Sequence, residues 1–194
     1  MTRKRGLQVA GGIAMVALSA WGATLGLERL VTPRVVTDAD TGAPAAAAEV
    51  PHITATLYYA SADGQALVAT KREVPLADGT VAQGRAIVTS QLEPAPPPQV
   101  SVIPTGTKVR AFYLTDRGDA FVDLSREVSA NHPGGSFNEL LTVYAIVDAV
   151  TTNLPAVQRV QILIDGKEAD TLAGHVDLRR PLQKDLGLVR DEVQ

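Results

Sequence analysis

Residues 131–166 read NHPGGSFNELLTVYAIVDAVTTNLPAVQRVQILIDG, and this stretch decides the fold. Ser136, with Glu139 three residues on, forms a capping box that starts a helix. Leu140, Tyr144, Val147, Val150 and Leu154 recur at helical spacing, and Pro155 stops the run. Val157–Ile164 then alternates as a strand before the Asp165-Gly166 turn. Val160, Ile162 and Ile164 fall on one face, with Arg159, Gln161 and Leu163 on the other.

The segments upstream arrive in pairs. Ile53–Tyr59 (ITATLYY) is β-branched and aromatic, Asp63-Gly64 is a turn, and Leu67–Pro75 is its hairpin partner. Asp78-Gly79-Thr80 caps a helix over residues 79–92, with Val81, Arg85, Val88 and Leu92 along one side. Pro94, Pro96, Pro97 and Pro98 end it in an extended stretch, read as a rigid connector in preference to a ligand for an aromatic groove. Lys108–Leu114 and Ala120–Leu124, joined by Asp116-Arg117-Gly118-Asp119, make a second hairpin, and a short last strand falls at His175–Leu178. The order β-β-α-β-β-α-β-β predicts an α+β fold: a small, mostly antiparallel sheet with two helices packed on one face.

The chain has 194 residues, of which 45% are apolar, 20% charged and none is cysteine. Disulfides, thiol catalysis, iron–sulfur clusters and a lipidated cysteine are thereby excluded. Arg3, Lys4 and Arg5 precede the uncharged run Leu7–Leu27, and Glu28 follows it. A helix of about 20 residues spans roughly 30 Å, so this run predicts one transmembrane helix, with the N-terminus in the cytoplasm and the rest outside. A cleaved signal peptide with small residues at Ala17 and Ser19 is the competing reading; the length of the run favours the anchor. The expected organisation is a basic tip (1–6), the anchor (7–27), a Pro- and Ala-rich flexible linker (28–51), a folded domain (52–182) and a charged tail (183–194).

Without the three leading cations, 15 Lys+Arg face 21 Asp+Glu. With a pI near 5.6, such a surface excludes nucleic acid as a partner and leaves membrane contact to the anchor.

Three histidines, His52, His132 and His175, lack any HExxH or HxH spacing, so no metal and no cofactor are expected. Ser136, His132 and Asp177 could be imagined as a triad, but no GxSxG elbow frames the serine. The candidate glycosidase carboxylates, Asp116, Asp119 and Asp123, share one hairpin and read as two turn residues and one solvated residue. His132-Pro133-Gly134-Gly135-Ser136 resembles an anion-binding loop at a helix start, although a tight helix entrance is the simpler reading. The candidate binding residues are His132, Gly134, Gly135, Glu139, Asp165 and Gly166. No catalytic set emerges.

The series Gly106-Thr107, Phe121-Val122-Asp123-Leu124-Ser125, the helix with Glu139, Val157–Gly166, Gly174-His175-Val176-Asp177-Leu178 and Pro181 resembles the GerMN domain family of sporulation and spore germination proteins. The resemblance implies a small α+β extracytoplasmic domain, tethered to a bacterial membrane, that binds partners in envelope complexes; it brings no enzymatic residues. Lacking the lipoprotein cysteine, this chain would be tethered by its helix. The expectation is a non-catalytic envelope protein whose domain binds a protein or peptidoglycan, with homo-oligomers allowed. The rivals are an envelope hydrolase of glycan or peptide and a self-assembling structural subunit.

Overall fold

The computed structural model describes residues 50–190. The predicted anchor and nearly all of the linker lie outside the described residues, as do residues 191–194. Among the described residues no helix is long and apolar enough to cross a membrane. The elements are β1 (His52–Ala60), β2 (Leu67–Pro75), α1 (Thr80–Gln91), β3 (Val109–Leu114), β4 (Asp119–Leu124), α2 (Glu127–Ala130), α3 (Ser136–Asn153), β5 (Arg159–Ile164), β6 (Lys167–Glu168), β7 (Leu182–Gln183), a 3-10 turn (Leu186–Leu188) and β8 (Val189–Arg190).

The α+β class holds, but the strands form two sheets where the sequence suggests one. The first has the order β1-β2-β8; the second has the order β3-β4-β5-β6, with β7 also on β5. Both hairpins are antiparallel, as expected, whereas β4–β5 and β2–β8 are parallel. The physical reason lies in α3. A two-residue turn reverses a strand, but an 18-residue helix carries the chain back to the end of the sheet where β4 began, so β5 runs beside β4 in the same direction.

The two long helices, α1 and α3, each touch strands of both sheets and one another, so neither simply covers one outer face. The predicted stripe on α1 is also displaced. Val81 is exposed, and the buried residues are Gln83, Gly84, Ile87, Val88, Ser90 and Gln91. Gly84 explains the shift: a Cβ there would lie 2.5 Å from the Phe112 ring of β3, so the missing side chain admits that ring against the helix. Gly84→Ala is therefore expected to destabilise the domain by about 2 kcal/mol despite alanine's better helix propensity. A chemical denaturation midpoint equal to or above wild type would contradict this packing.

Side-chain amides close the edge of β1 that faces away from β2. Asn153 accepts from the Thr56 N–H at 2.9 Å and donates to Thr56 O at 2.7 Å; Gln91 does the same for Tyr58 at 2.9 and 2.6 Å. Ala60 exchanges two backbone bonds with Val100. Helix ends thus stand in for a neighbouring strand.

The predicted strand at His175–Leu178 does not form; its residues belong to an irregular loop. Within the stretch read as a charged tail, Gln183 joins β7 on β5 and β8 pairs with β2, so this segment straps one sheet to the other.

Candidate functional site

The start of α3 is built from glycine and histidine. Gly134 and Gly135 take φ of 82° and 87°, which side-chain-bearing residues rarely adopt. Gly135 is the N-cap and no side chain caps the helix, so the Ser136–Glu139 capping box is not made. His132 Nδ1 accepts the Gly134 N–H at 3.0 Å, which leaves the proton on Nε2 to donate to Thr142 Oγ1 at 3.1 Å. The Thr142 hydroxyl faces Val102 O at 2.7 Å and Asn138 O at 2.9 Å. Burial holds the imidazole below its usual pKa, against the pull of Glu139. His132 thus ties the glycine loop to Thr142 of α3, and Thr142 in turn joins α3 to the 100–103 segment.

Glu139 is fully buried. Its Oε1 accepts the N–H groups of Leu172 and Ala173, both at 2.8 Å. Oε2 accepts the His175 N–H at 2.8 Å and lies 3.1 Å from His175 Nδ1. Burial pushes the carboxyl pKa up, but the backbone donors of Ala173, Val176, His175 and Leu172 reverse this and hold it below the ordinary range. The loop that replaces the predicted last strand is wrapped around this carboxylate.

Asp165 and Gly166 form the turn from β5 to β6, with φ of 51° and 75°. Asp123, read from the sequence as solvated, is buried; Oδ1 accepts the Gly166 N–H at 2.7 Å and Oδ2 accepts from Arg110 Nε at 3.2 Å. Arg110 also reaches Asp165 at 3.4 Å. Asp119 lies in β4, where it pairs with Arg159 at 2.7 Å, and is not a turn residue. Beside this group a cleft of about 560 Å³ is lined by Lys108, Arg110, Arg126, Glu127 and Asp165, a mixture of signs that favours neither anion nor cation.

A second cleft, of about 320 Å³, lies between the β1–β2 turn and the start of α3. Its lining includes Ala60, Val100, Val102, Pro133 and Leu141, with Asp63, Ser101 and Asn138 as its polar side chains. Val100 is 51% exposed, and Phe137, next to Asn138 in sequence, is 40% exposed. Apolar walls with an amide and a few polar groups suit a short apolar segment of another molecule.

The candidate residues therefore fall in separate places. His132, Gly134 and Gly135 shape the start of α3, Glu139 organises the 172–176 loop, and Asp165 and Gly166 belong to the Arg110–Asp123 group. Asp177, the imagined triad partner, is paired with Arg179 at 2.8 Å, while His132 is bound to Thr142. Among the described residues no group of three His, Cys, Asp or Glu could hold a metal ion.

Sequence reading missed the cleft lining, which converges from three distant segments and carries no motif. It also missed Asp148, buried in α3, whose Oδ1 accepts the Asp185 N–H at 3.0 Å while Oδ2 has no hydrogen-bond partner among the described residues. An aspartate inside the apolar run YAIVDAV was its one visible signal.

Solved structures resemble this fold over about 70% of the chain. They include a candidate lipoprotein from Clostridium perfringens, 23% identical, with 71% of this chain and 91% of that chain covered and a TM-score of 0.51. The first GerMN domain of the sporulation protein GerM from Bacillus subtilis is 17% identical, with 68% and 97% covered and a TM-score of 0.53. The tandem GerMN domains of that protein are 20% identical, with 70% and 46% covered and a TM-score of 0.52. At these identities the likeness is one of fold. No curated protein matches. The family model described as Germane, sporulation and spore germination, matches residues 56–170, and the chain belongs to that family.

Proposed function

We propose that this protein is a membrane-anchored, extracytoplasmic binding protein of the bacterial envelope, whose domain docks a protein partner without turnover. The anchor is the Leu7–Leu27 helix, and the C-terminal domain lies outside the cytoplasm. A structural neighbour described as a candidate lipoprotein supports a life at the membrane. The observation that carries the reading is the largely apolar cleft, with Val100 exposed in its lining and Phe137 exposed one residue from its lining residue Asn138, beside a helix start where His132 and Asn138 bond internally. Such a surface suits an apolar peptide segment better than the hydroxyl-rich glycan of peptidoglycan.

Full-length protein in detergent-solubilised membranes is the bait that tests this. Val100→Asp and Phe137→Ala are expected to lower recovery of the partner at least tenfold, on the order of 1.4 kcal/mol, relative to wild type. Equal recovery by wild type, both variants and the anchor segment alone would contradict the proposal.

A further inference from the structure

The open edge of β2 offers an interface distinct from the cleft. β1 turns the backbone groups of Thr56, Tyr58 and Ala60 away from β2. In an antiparallel pair the residues opposite them, Lys71, Ala69 and Leu67, must likewise turn theirs to the far side, and by the two-residue period so does Glu73. On that side β8 pairs only with Leu67 and Val68, and Pro75 has no N–H to offer. Among the described residues no strand pairs with the stretch between, so Lys71 and Glu73 present their N–H and C=O groups outward.

Charges and proline on an edge commonly block strand addition. Here their order does the opposite for one partner, a second copy of this chain. Place a twofold axis at Arg72, perpendicular to the sheet. Residue 72 then faces residue 72, and Lys71 faces Glu73 of the second copy, twice over. Both side chains are exposed on the same face. The Thr54 hydroxyl donates to Glu73 at 2.9 Å, and the Lys71 ammonium has no partner among the described residues. The two arginines at the axis do not oppose each other, because each turns back over its own sheet. Arg72 Nη1 donates to Tyr59 Oη at 3.0 Å and to Pro94 O at 2.9 Å, and Nη2 lies 3.3 Å from Glu93.

We infer that residues 70–74 of β2 pair antiparallel with the same residues of a second copy, joining two three-stranded sheets into one of six strands. Four backbone hydrogen bonds and two Lys71–Glu73 pairs form across the axis. The window is closed on one side by β8 and on the other by Pro75, which sets the register.

The test uses the full-length protein in detergent, with mass measured by sedimentation across a dilution series. Lys71→Glu alone and Glu73→Lys alone each place like charges opposite one another at two points per dimer. Each is expected to weaken dimerisation at least tenfold, about 1.4 kcal/mol. The double swap Lys71→Glu/Glu73→Lys restores both attractions and is expected to return the dimer. Because the chain has no cysteine, Arg72→Cys provides an independent readout. Residues at a non-hydrogen-bonded position lie about 4.5 Å apart at Cα, within disulfide reach, so mild oxidation is expected to link the copies. Ala69→Cys, on the same edge but far from its own mate in this register, is expected to stay unlinked.

A full-length chain that stays monomeric, or a double swap that fails to restore what the single swaps lose, overturns the inference. If the edge is occupied instead by residues following Arg190 or by another protein, Arg72→Cys stays reduced and the swaps leave the mass unchanged, which overturns it equally.

Discussion

Glu139→Ala is expected to lower the unfolding free energy by about 3–5 kcal/mol, and Glu139→Gln by about 3 kcal/mol. The carboxylate is fully buried on α3, and its two oxygens serve backbone donors from Leu172, Ala173 and His175. Removing it leaves those donors buried without an acceptor and releases the loop that carries Leu172 and Leu178 into the core. The pH dependence follows from the depressed pKa in the fold. The stabilisation is fully present above the unfolded carboxyl value of about 4.5 and is lost as pH falls through the lower folded value. Urea melts at pH 7 should therefore separate wild type from Glu139→Gln widely, and the gap should narrow on strong acidification. A gap that is constant with pH would mean that Glu139 acts by its shape and not by its charge.

Asp148 has the opposite sign. Burial pushes its carboxyl from 3.8 up to about 7; the Asp185 N–H resists this, Asp185's own charge adds to it, and Lys184 opposes it. Tyr58 and Tyr144 also sense its charge. In the fold Asp148 keeps its proton to about pH 7, whereas unfolded chain loses it near pH 4. Its contribution to stability therefore falls between those values and levels off above them. Three pH units correspond to about 4 kcal/mol, from which an asparagine's unpaired buried amide subtracts about 1–3 kcal/mol. Asp148→Asn is thus expected to be more stable than wild type at pH 8 by about 2 kcal/mol and to lose that advantage at pH 5. Thermal melts at the two pH values check this, and a variant destabilised equally at both would contradict it.

What the sequence discloses is the part of the fold that local chemistry controls. Both hairpins and α3 follow from β-branched alternation, turn residues and the spacing of Leu140, Tyr144 and Val147. The failures share a different cause, which is contact between residues far apart in the chain. Ser136 and Glu139 have the spacing of a capping box, yet Glu139 is claimed by donors more than thirty residues downstream. His175–Leu178 has strand-like alternation, but that same carboxylate bends it into a loop. The stripe on α1 fails because Phe112, on a later strand, packs against Gly84. Sheet order was equally hidden, since a parallel β4–β5 pair depends on where α3 delivers the chain. The cleft is the extreme case: Ala60, Val100 and Leu141 come together only in the folded chain, and none is distinctive alone.

The glycine–histidine start of α3 and the buried Glu139 bond inward and fix the loops beside α3, and Asp123 fixes the β5–β6 turn. A domain so built can present a fixed, largely apolar cleft, which is what the docking role proposed above requires. The most direct measurement is photocrosslinking in intact cells from a reactive residue placed at Phe137 of the full-length protein, with Lys167 of β6 as the control position. One dominant envelope protein is expected to be linked from position 137, absent from position 167 and lost when Val100→Asp is added. The same products from both positions, or no loss with Val100→Asp, would contradict it.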